Sequence, residues 1–181
     1  MSLEIVEIAS PVGNLVLAFQ QNVLAGLGFE DRWREVREHL NRRFAEPRFL
    51  KGNGNREVVE KLRAYMKGNL ETLSDIPVDP GGTPFQADVW KQLRKIPTGS
   101  TVSYGELARA IGRPRAVRAV GGANGANPIS IVIPCHRVIA ANGDLWGYGG
   151  GLDRKRWLLA HECAVPTDPR MFPESHRALH M

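Results

Sequence analysis

Apolar and polar residues alternate at the start of the chain, as they do in strands that bury one face. Strand-like runs cover Leu3–Ala9, Leu15–Phe19 and Val23–Phe29, and the segment Ser10–Asn14 has the composition of a turn. These runs predict a small antiparallel meander.

The period of the apolar residues changes after this meander. In Trp33–Phe44 and again in Arg56–Met66 they recur every three or four positions, which predicts two helices. The segment Lys51–Asn55 between them is rich in Gly and Asn and is expected to be a loop. The Pro- and Gly-rich segment Asp75–Gly82 is the best linker candidate in the chain.

Two capping boxes predict helix starts beyond this linker. Thr83–Gln86 combines a capping Thr with a Pro in the first turn and a Gln at the third position, so a helix should run from here to about Lys95. Ser103–Glu106 is the second box, and it should begin a short helix that reaches about Ile111. A last helix is expected over Asp153–Glu162, with its Asp as the cap.

The short helix, a tight turn over Gly112–Arg115 and a further helix over Ala116–Asn124 follow one another as in a helix-turn-helix. The last of these helices lacks the long polar side chains that read the major groove, and it could instead approach a narrow minor groove. Close packing in a core is an equal alternative. Its small residues are Ala116, Ala119, Gly122, Ala123 and Gly125. Arg113, Arg115 and Arg118 would contact phosphates or probe the duplex.

The 181 residues have a net charge of +5, and this charge is unevenly distributed. Residues 1–82 contain 11 Lys and Arg against 12 Asp and Glu, whereas residues 83–162 contain 11 against 5. A basic half indicates a polyanionic partner, nucleic acid first, although a basic face that only aids solubility is an alternative. We predict an N-terminal domain over 1–78, a C-terminal domain over 83–163 and a tail over 164–181.

Composition excludes several other classes of protein. Hydrophobic residues at 43% and charged residues at 24% are typical of globular chains and not of collagen-like, coiled-coil or disordered ones. No run approaches the roughly 18 apolar residues of a membrane span, and the first residues are acidic where a signal peptide is basic, so we expect no membrane association. Cys135 and Cys163 cannot form a disulfide framework, and the cytoplasm is the expected compartment.

The segment Ile131–Val138 (IVIPCHRV) contains the strongest candidate chemistry. An apolar run leads the chain into the interior, and Pro134 prevents further regular pairing just before Cys135. His136 and Arg137 follow at once, and such neighbours can lower the pKa of a thiol. A buried, inert thiol is nevertheless the more common state of an isolated cysteine, so the motif alone does not decide whether Cys135 is reactive.

Together with other motifs, this segment closely resembles the O6-alkylguanine-DNA alkyltransferases. The resemblance spans residues 83–162 without a gap, whereas the earlier part is similar only in its pattern of strands and helices. The other matching motifs are Thr83–Gln86, Ser103–Leu107, Arg118–Ala123, Asn127–Pro128, Gly147–Leu152 and Trp157–Glu162. The resemblance implies an α/β fold, in which a small N-terminal antiparallel sheet with helices, of ribonuclease H-like type, precedes a mainly helical domain with the helix-turn-helix.

The resemblance also implies direct repair of O6-alkylguanine in double-stranded DNA, with O4-alkylthymine as a second candidate substrate. Cys135 would be the nucleophile, His136 would take its proton through a water, and Glu162 would orient the imidazole. Asn127 would brace the active-site turn. Tyr104 would donate to the guanine ring and press on the 3′ phosphate. Because a thioether is a poor leaving group, each molecule should react once.

The expected DNA contacts and pocket residues come from the same resemblance. Arg118 would replace the flipped base in the stack, in a complex formed through the minor groove. The other expected DNA contacts are Tyr104, Arg113, Arg115, Ala119, Gly122, Ala123 and Arg137. The expected pocket residues are Val138, Trp146, Tyr148 and Gly149. Trp146 either fills the space beside Gly149 or lies at the rim.

We expect no cofactor, because the DNA itself is the alkyl donor. We also expect no metal, because the cysteines and histidines lack the spacing of zinc ligands, and we expect a monomer. Three alternatives fit less well. A relative that only binds alkylated DNA would lack Cys135, a transcriptional regulator would need a sensor domain, and a cysteine hydrolase would give the arginines no role.

Overall fold

The predicted meander is present and is extended by a fourth strand. In the computed structural model, which describes residues 1–163, β1 (Ser2–Ile8), β2 (Leu15–Gln20) and β3 (Val23–Phe29) pair antiparallel in chain order. β4 (Arg48–Lys51) lies on the other side of β1 and runs parallel to it, so the sheet is mixed and has the order β3-β2-β1-β4. The pattern did not predict β4 because three of its four residues are exposed.

Within the described residues, six α-helices follow the order predicted from the sequence. They are α1 (Trp33–Phe44), α2 (Arg56–Met66), α3 (Pro84–Leu93), α4 (Tyr104–Ala110), α5 (Val117–Gly125) and α6 (Leu152–His161). The 3₁₀ turns are Glu30–Arg32, Leu70–Leu73 and Cys135–Arg137. The two-residue strands β5 (Val102–Ser103) and β6 (Val138–Ile139) pair parallel and join the start of α4 to the end of the last 3₁₀ turn. The predicted tail, residues 164–181, lies outside the described residues.

Local sequence signals fix two of the helix starts. The side chains of Thr83 and Ser103 each accept from the backbone N–H three residues on, and the Gln86 and Glu106 side chains accept in return from the two cap residues, so both predicted capping boxes are confirmed. The prediction of Asp153 as the cap of α6 is wrong. Gly151, at φ 91°, is the cap instead, because this left-handed backbone suits a glycine, and the helix begins at Leu152, one residue before the Asp.

α1 covers one face of the sheet. Leu3 and Ala18 on the sheet pack with Val36 and Leu40 on the helix. A Cβ at position 28 would lie 2.8 Å from a methyl carbon of Val36, so only glycine at this position of β3 allows the helix to lie so close.

The opposite face of the sheet packs against α2 and against the C-terminal helices in a single cluster of buried side chains. The members include Leu17 and Phe29 of the sheet, Leu62 of α2, Trp90 of α3 and Leu158 of α6. Both predicted domains therefore contribute to one hydrophobic core, and the boundary near residue 80 stays a prediction.

The free edge of β3 is covered by the chain that leads to the cysteine. The N–H of Leu27 donates to the carbonyl of Pro128 at 2.9 Å, and the N–H of Ser130 donates to the carbonyl of Leu27 at 2.9 Å. The sheet thereby positions the segment that runs from Asn127 to the 3₁₀ turn at Cys135.

Candidate active site

The cysteine lies on a tight, buried turn. The predicted apolar run Ile131–Ile133 is buried, and the chain then enters the 3₁₀ turn Cys135–Arg137. Ile131 has a φ of 71°, which is uncommon for a β-branched residue and shows that the surrounding packing determines this turn. The Cys135 side chain is 5% exposed.

Two asparagines hold this turn. The Asn127 amide donates to the carbonyl of Ile133 at 2.8 Å and to Sγ of Cys135 at 3.1 Å, and its oxygen accepts from the N–H of Ile129 at 3.0 Å. The Asn124 amide donates to the carbonyl of Cys135 at 3.3 Å. Asn127 thus makes the contacts that its proposed bracing role requires.

His136 and Arg137 both turn inward and meet Glu162. Nε2 of His136 lies 3.0 Å from Oε1 of Glu162, and Arg137 donates from Nε to Oε2 at 2.9 Å and from a terminal nitrogen to Oε1 at 2.7 Å. The Tyr65 hydroxyl donates to the same Oε1 at 2.8 Å. The neighbours His136 and Arg137 are therefore brought into contact with Glu162, which is distant in sequence and lies at the end of α6.

The charges of this cluster follow from burial and pairing. Burial alone would raise the pKa of Glu162, but His136 and Arg137 outweigh burial and hold that pKa far below its usual range. Burial lowers the pKa of His136, although Glu162 opposes the shift. The cluster at neutral pH thus contains a carboxylate, a guanidinium and a neutral imidazole.

The thiol itself is not pre-ionised, which corrects the expectation that its neighbours lower its pKa. Burial raises the pKa of Cys135, and the hydrogen bond from Asn127 and the charge of Lys155 offset only part of this effect. The His136 side chain points to Glu162, and the Arg137 side chain is neutralised by the same carboxylate, so neither side chain stabilises a thiolate. Proton removal must therefore accompany the reaction of the sulfur.

Lys155 is a buried residue of this site that the sequence analysis missed. Its ammonium donates to the carbonyl of Val138 at 2.6 Å and to the carbonyl of Trp146 at 2.9 Å, and burial lowers its pKa to about 8. Its position three and four residues before the buried Leu158 and Leu159 was a usable signal, because it places a charged residue on the apolar face of α6.

A loop beside the cysteine contains three of the expected pocket residues, which differ in their exposure and contacts: Trp146, Tyr148 and Gly149. Tyr148 is half-buried, and its ring meets that of Phe29 edge to face at 6.2 Å. A Cβ at position 150 would lie 2.3 Å from the Phe29 ring, whereas one at Gly149 would meet open space. Trp146 is 63% exposed and therefore lies at the rim, and its carbonyl accepts from the Tyr104 hydroxyl at 3.4 Å.

The turn before α5 and the exposed face of α5 carry most of the expected DNA contacts. Arg113, Arg115 and Arg118 are exposed, and so are Ala119 and Gly122. This basic face, which has only small side chains at Ala119 and Gly122, is compatible with a close approach to a duplex.

Two expected DNA contacts are contradicted by their burial. Arg137 is not a DNA contact, because the residue is 7% exposed and its side chain is bonded to Glu162, to the Ile96 carbonyl and to Thr98. Ala123 faces the core, and its carbonyl accepts from the Trp90 indole at 2.8 Å. The Val138 side chain is fully buried, and its place in the pocket stays a prediction.

Residues 1–163 contain neither a metal-binding cluster nor a membrane-spanning helix. No group of three or more His, Cys, Asp or Glu side chains in this range is placed to hold a metal ion. In the same range, no helix has the length and apolar character that crossing a membrane requires.

Known proteins share both the sequence and the arrangement. A family model described as 6-O-methylguanine DNA methyltransferase, DNA binding domain, matches residues 84–164. The methylated-DNA–protein-cysteine methyltransferase of Shigella flexneri is 45% identical over 159 residues, which cover 86% of this chain and 93% of the relative. The protein of that name from Mycolicibacterium paratuberculosis is 51% identical over 154 residues, which cover 84% and 88%. The chain belongs to the methylated-DNA–protein-cysteine methyltransferase family.

Solved structures of this methyltransferase family have the same fold. The O6-methylguanine methyltransferase of Mycobacterium tuberculosis is 42% identical, with a TM-score of 0.72 over 95% of this chain and 99% of that one. Mycobacterium tuberculosis OGT in complex with DNA is 43% identical, with a TM-score of 0.77 over 96% and 100%. The predicted family and its α/β fold are confirmed.

Proposed function

We propose that Cys135 is the residue of this methyltransferase that accepts the alkyl group, and that O6-alkylguanine in double-stranded DNA is the donor. Direct reversal of DNA alkylation, by transfer to a cysteine of the protein, is the activity of the family. The observation that carries the proposal is the buried thiol, which Asn127 holds at 3.1 Å beside the His136–Glu162 pair. O4-alkylthymine is a second candidate donor of the same chemistry.

The protonated thiol needs a base, and the hydrogen bonding of His136 supports this residue as the base. An ionised Glu162 can only accept, so Nε2 of His136 donates to it and Nδ1 carries the free lone pair. Nδ1 is buried and has no hydrogen-bond partner within residues 1–163. We assign this atom as the acceptor of the thiol proton.

The transfer then proceeds as a displacement at the alkyl carbon. Sγ of Cys135 attacks this carbon while its proton passes through a water to Nδ1 of His136, the S–C bond forms, and the C–O6 bond breaks with its electron pair moving onto the guanine. Tyr104 donates to the guanine ring as that charge builds, and Glu162 stabilises the imidazolium. The thioether persists, so each molecule acts once.

The substrate base must leave the duplex to reach a buried thiol, at a cost of about a few kcal/mol. We propose that α5 enters the minor groove, where its exposed Ala119 and Gly122 allow close approach, and that Arg118 occupies the place of the flipped base. Arg113 and Arg115 contact phosphates. Tyr148, Gly149 and the Val138 backbone line the pocket, and Trp146 lies at its rim.

The remaining expectations concern the state of the protein. A monomer without cofactor or metal is sufficient for this reaction, because the DNA supplies the alkyl group and the protein retains it. A reducing cytoplasm is the proposed compartment, since Cys135 must stay a thiol.

Rates on two substrates test this proposal. The second-order rate of alkyl transfer is measured on a duplex with one labelled O6-methylguanine and on the free base O6-benzylguanine. Cys135→Ser should abolish labelling by both substrates, whereas the matched control Cys163→Ser, at the exposed cysteine, should react like the parent. Transfer that persists in Cys135→Ser would refute the assignment.

The same comparison separates DNA handling from chemistry. Arg118→Ala should slow the reaction with the duplex and leave the reaction with the free base unchanged, because only the duplex needs a replacement for the flipped base. An equal loss on both substrates would place Arg118 in the pocket or in folding instead.

A further inference from the structure

Tyr65 is a buried residue of α2 that belongs to the N-terminal part of the chain and yet reaches the proposed base. Its side chain is fully buried, and its hydroxyl donates to Oε1 of Glu162 at 2.8 Å across 97 positions of sequence. Because this hydrogen bond is buried, bulk water cannot replace the Tyr65 hydroxyl as the donor to Glu162.

Other contacts fix the Tyr65 ring independently of this hydrogen bond. Its backbone carbonyl accepts from Nε2 of His161 at 2.7 Å, and the two rings meet edge to face at 5.2 Å. Trp157 stacks on His161, with ring centroids 4.6 Å apart. The end of α6 therefore packs around Tyr65 and aims its hydroxyl at the carboxylate.

Oε1 is also the atom that meets the proposed base. It lies 3.0 Å from Nε2 of His136 and accepts from Arg137 at 2.7 Å. We propose that Tyr65 is a positioning residue for alkyl transfer, whose hydroxyl holds the Glu162 carboxylate in line with the His136 imidazole. This inference rests on the proposed function, in which His136 takes the thiol proton.

The hydroxyl also adjusts the basicity of this pair. A neutral donor on Oε1 disperses the negative charge, so its removal leaves a carboxylate that stabilises the imidazolium more strongly and raises the pKa of His136. The other titratable or charged groups that surround the pair are Cys135, Arg137, Tyr148, Lys155 and His161. None of them is changed by removing the Tyr65 hydroxyl.

Tyr65→Phe tests the proposal because it removes one oxygen and keeps the packing. The second-order rate of methyl transfer from a methylated duplex is measured against pH on the full chain. We expect the rate at neutral pH to fall about tenfold, the size of one lost hydrogen bond to a charged group. The acidic limb of the profile, where His136 loses its proton, should move to higher pH.

Thr72→Val is the matched control, because it removes one hydroxyl that donates to the Lys61 carbonyl of α2 at 2.8 Å and leaves Tyr65 and the Glu162 carboxylate untouched. It should keep the position of the acidic limb. A parental rate and profile in Tyr65→Phe would overturn the inference, and so would an equal loss at every pH in both variants, which indicates packing alone. Absence of transfer by the parent would instead refute the proposed function.

A double-mutant cycle gives a second, independent measurement. If Tyr65 acts through Glu162, Tyr65→Phe should cost much less in a Glu162→Gln background than in the parent. Additive losses would overturn the proposal even if each variant folds less stably.

Discussion

The Glu162 carboxylate accepts four hydrogen bonds from three side chains, all of them buried. A buried carboxylate without partners would take up a proton, whereas these donors keep its pKa far below the usual range of a carboxyl group. Since the folded pKa is below the unfolded one, the charge stabilises the fold above the unfolded pKa, and this stabilisation is lost as pH falls towards the folded pKa.

Glu162→Gln tests the role of this single residue. The amide keeps the shape but cannot stabilise an imidazolium, so methyl transfer should slow by about 10²- to 10⁴-fold while affinity for duplex DNA stays close to that of the parent. Rates are measured below the melting temperature of the variant, because the change also leaves Arg137 without its charge partner. Glu57→Gln, on the exposed face of α2, is the control. Transfer by Glu162→Gln at the rate of the parent would contradict the relay.

At the scale of single residues, the motif predicted which residues lie at the site better than it predicted the directions of their side chains. Cys135, His136 and Glu162 were expected together, and the structure brings them together. The burial of Arg137 was not predicted, because the direction of a side chain next to the cysteine depends on where α6 ends. The sequence did not single out Tyr65, because it occupies one of the regularly spaced apolar positions of α2.

The loop over 140–151 is the element that shapes the proposed pocket. It is tied down where Lys155 donates to the Trp146 carbonyl and where Gly150 lies against Phe29 of β3. Between these points Gly149 presents no side chain and faces open space. The loop therefore has open space beside position 149, while its backbone is held at Trp146 and at Gly150.

This geometry predicts tolerance of larger alkyl groups. O6-ethyl- and O6-propylguanine in one duplex should be repaired within about tenfold of O6-methylguanine, at the low end of what one methylene usually costs in a fitted pocket. Gly149→Ser should slow propyl transfer more than methyl transfer, because the new side chain enters the open space. Trp146→Ala should leave the ratio unchanged, since Trp146 is exposed. A steep methyl preference that Trp146→Ala relieves would show that Trp146 limits the pocket.

Elements with a local sequence signal were predicted, and the others were not. The two capping boxes predicted the starts of α3 and α4 respectively, because the hydrogen bonds of a capping box form among four consecutive residues. β4 was missed, since its pairing with β1 comes from a distant part of the chain and its side chains are mostly exposed. The start of α6 was misplaced because a glycine with φ 91° forms the cap there.

At the scale of the whole molecule, the N-terminal part contacts and positions segments of the proposed active site in the C-terminal part. Arg154 donates to the carbonyls of Val12 and Gly150, pairs with Asp31 and lies over the Phe29 ring at 4.3 Å. β3 binds the segment before the cysteine, and α2 supplies Tyr65. The sequence indicated only strands and helices in this part, because its contribution arises from contacts between distant residues.

The central claim, that Cys135 accepts one alkyl group from DNA, is tested most directly by the mass of the intact protein after incubation with excess duplex containing O6-methylguanine. We predict a single burst that adds one methyl group in exchange for one hydrogen, and a proteolytic map that places it on the peptide with Cys135. Repeated turnover, a second methyl group or a label on Cys163 would contradict the account.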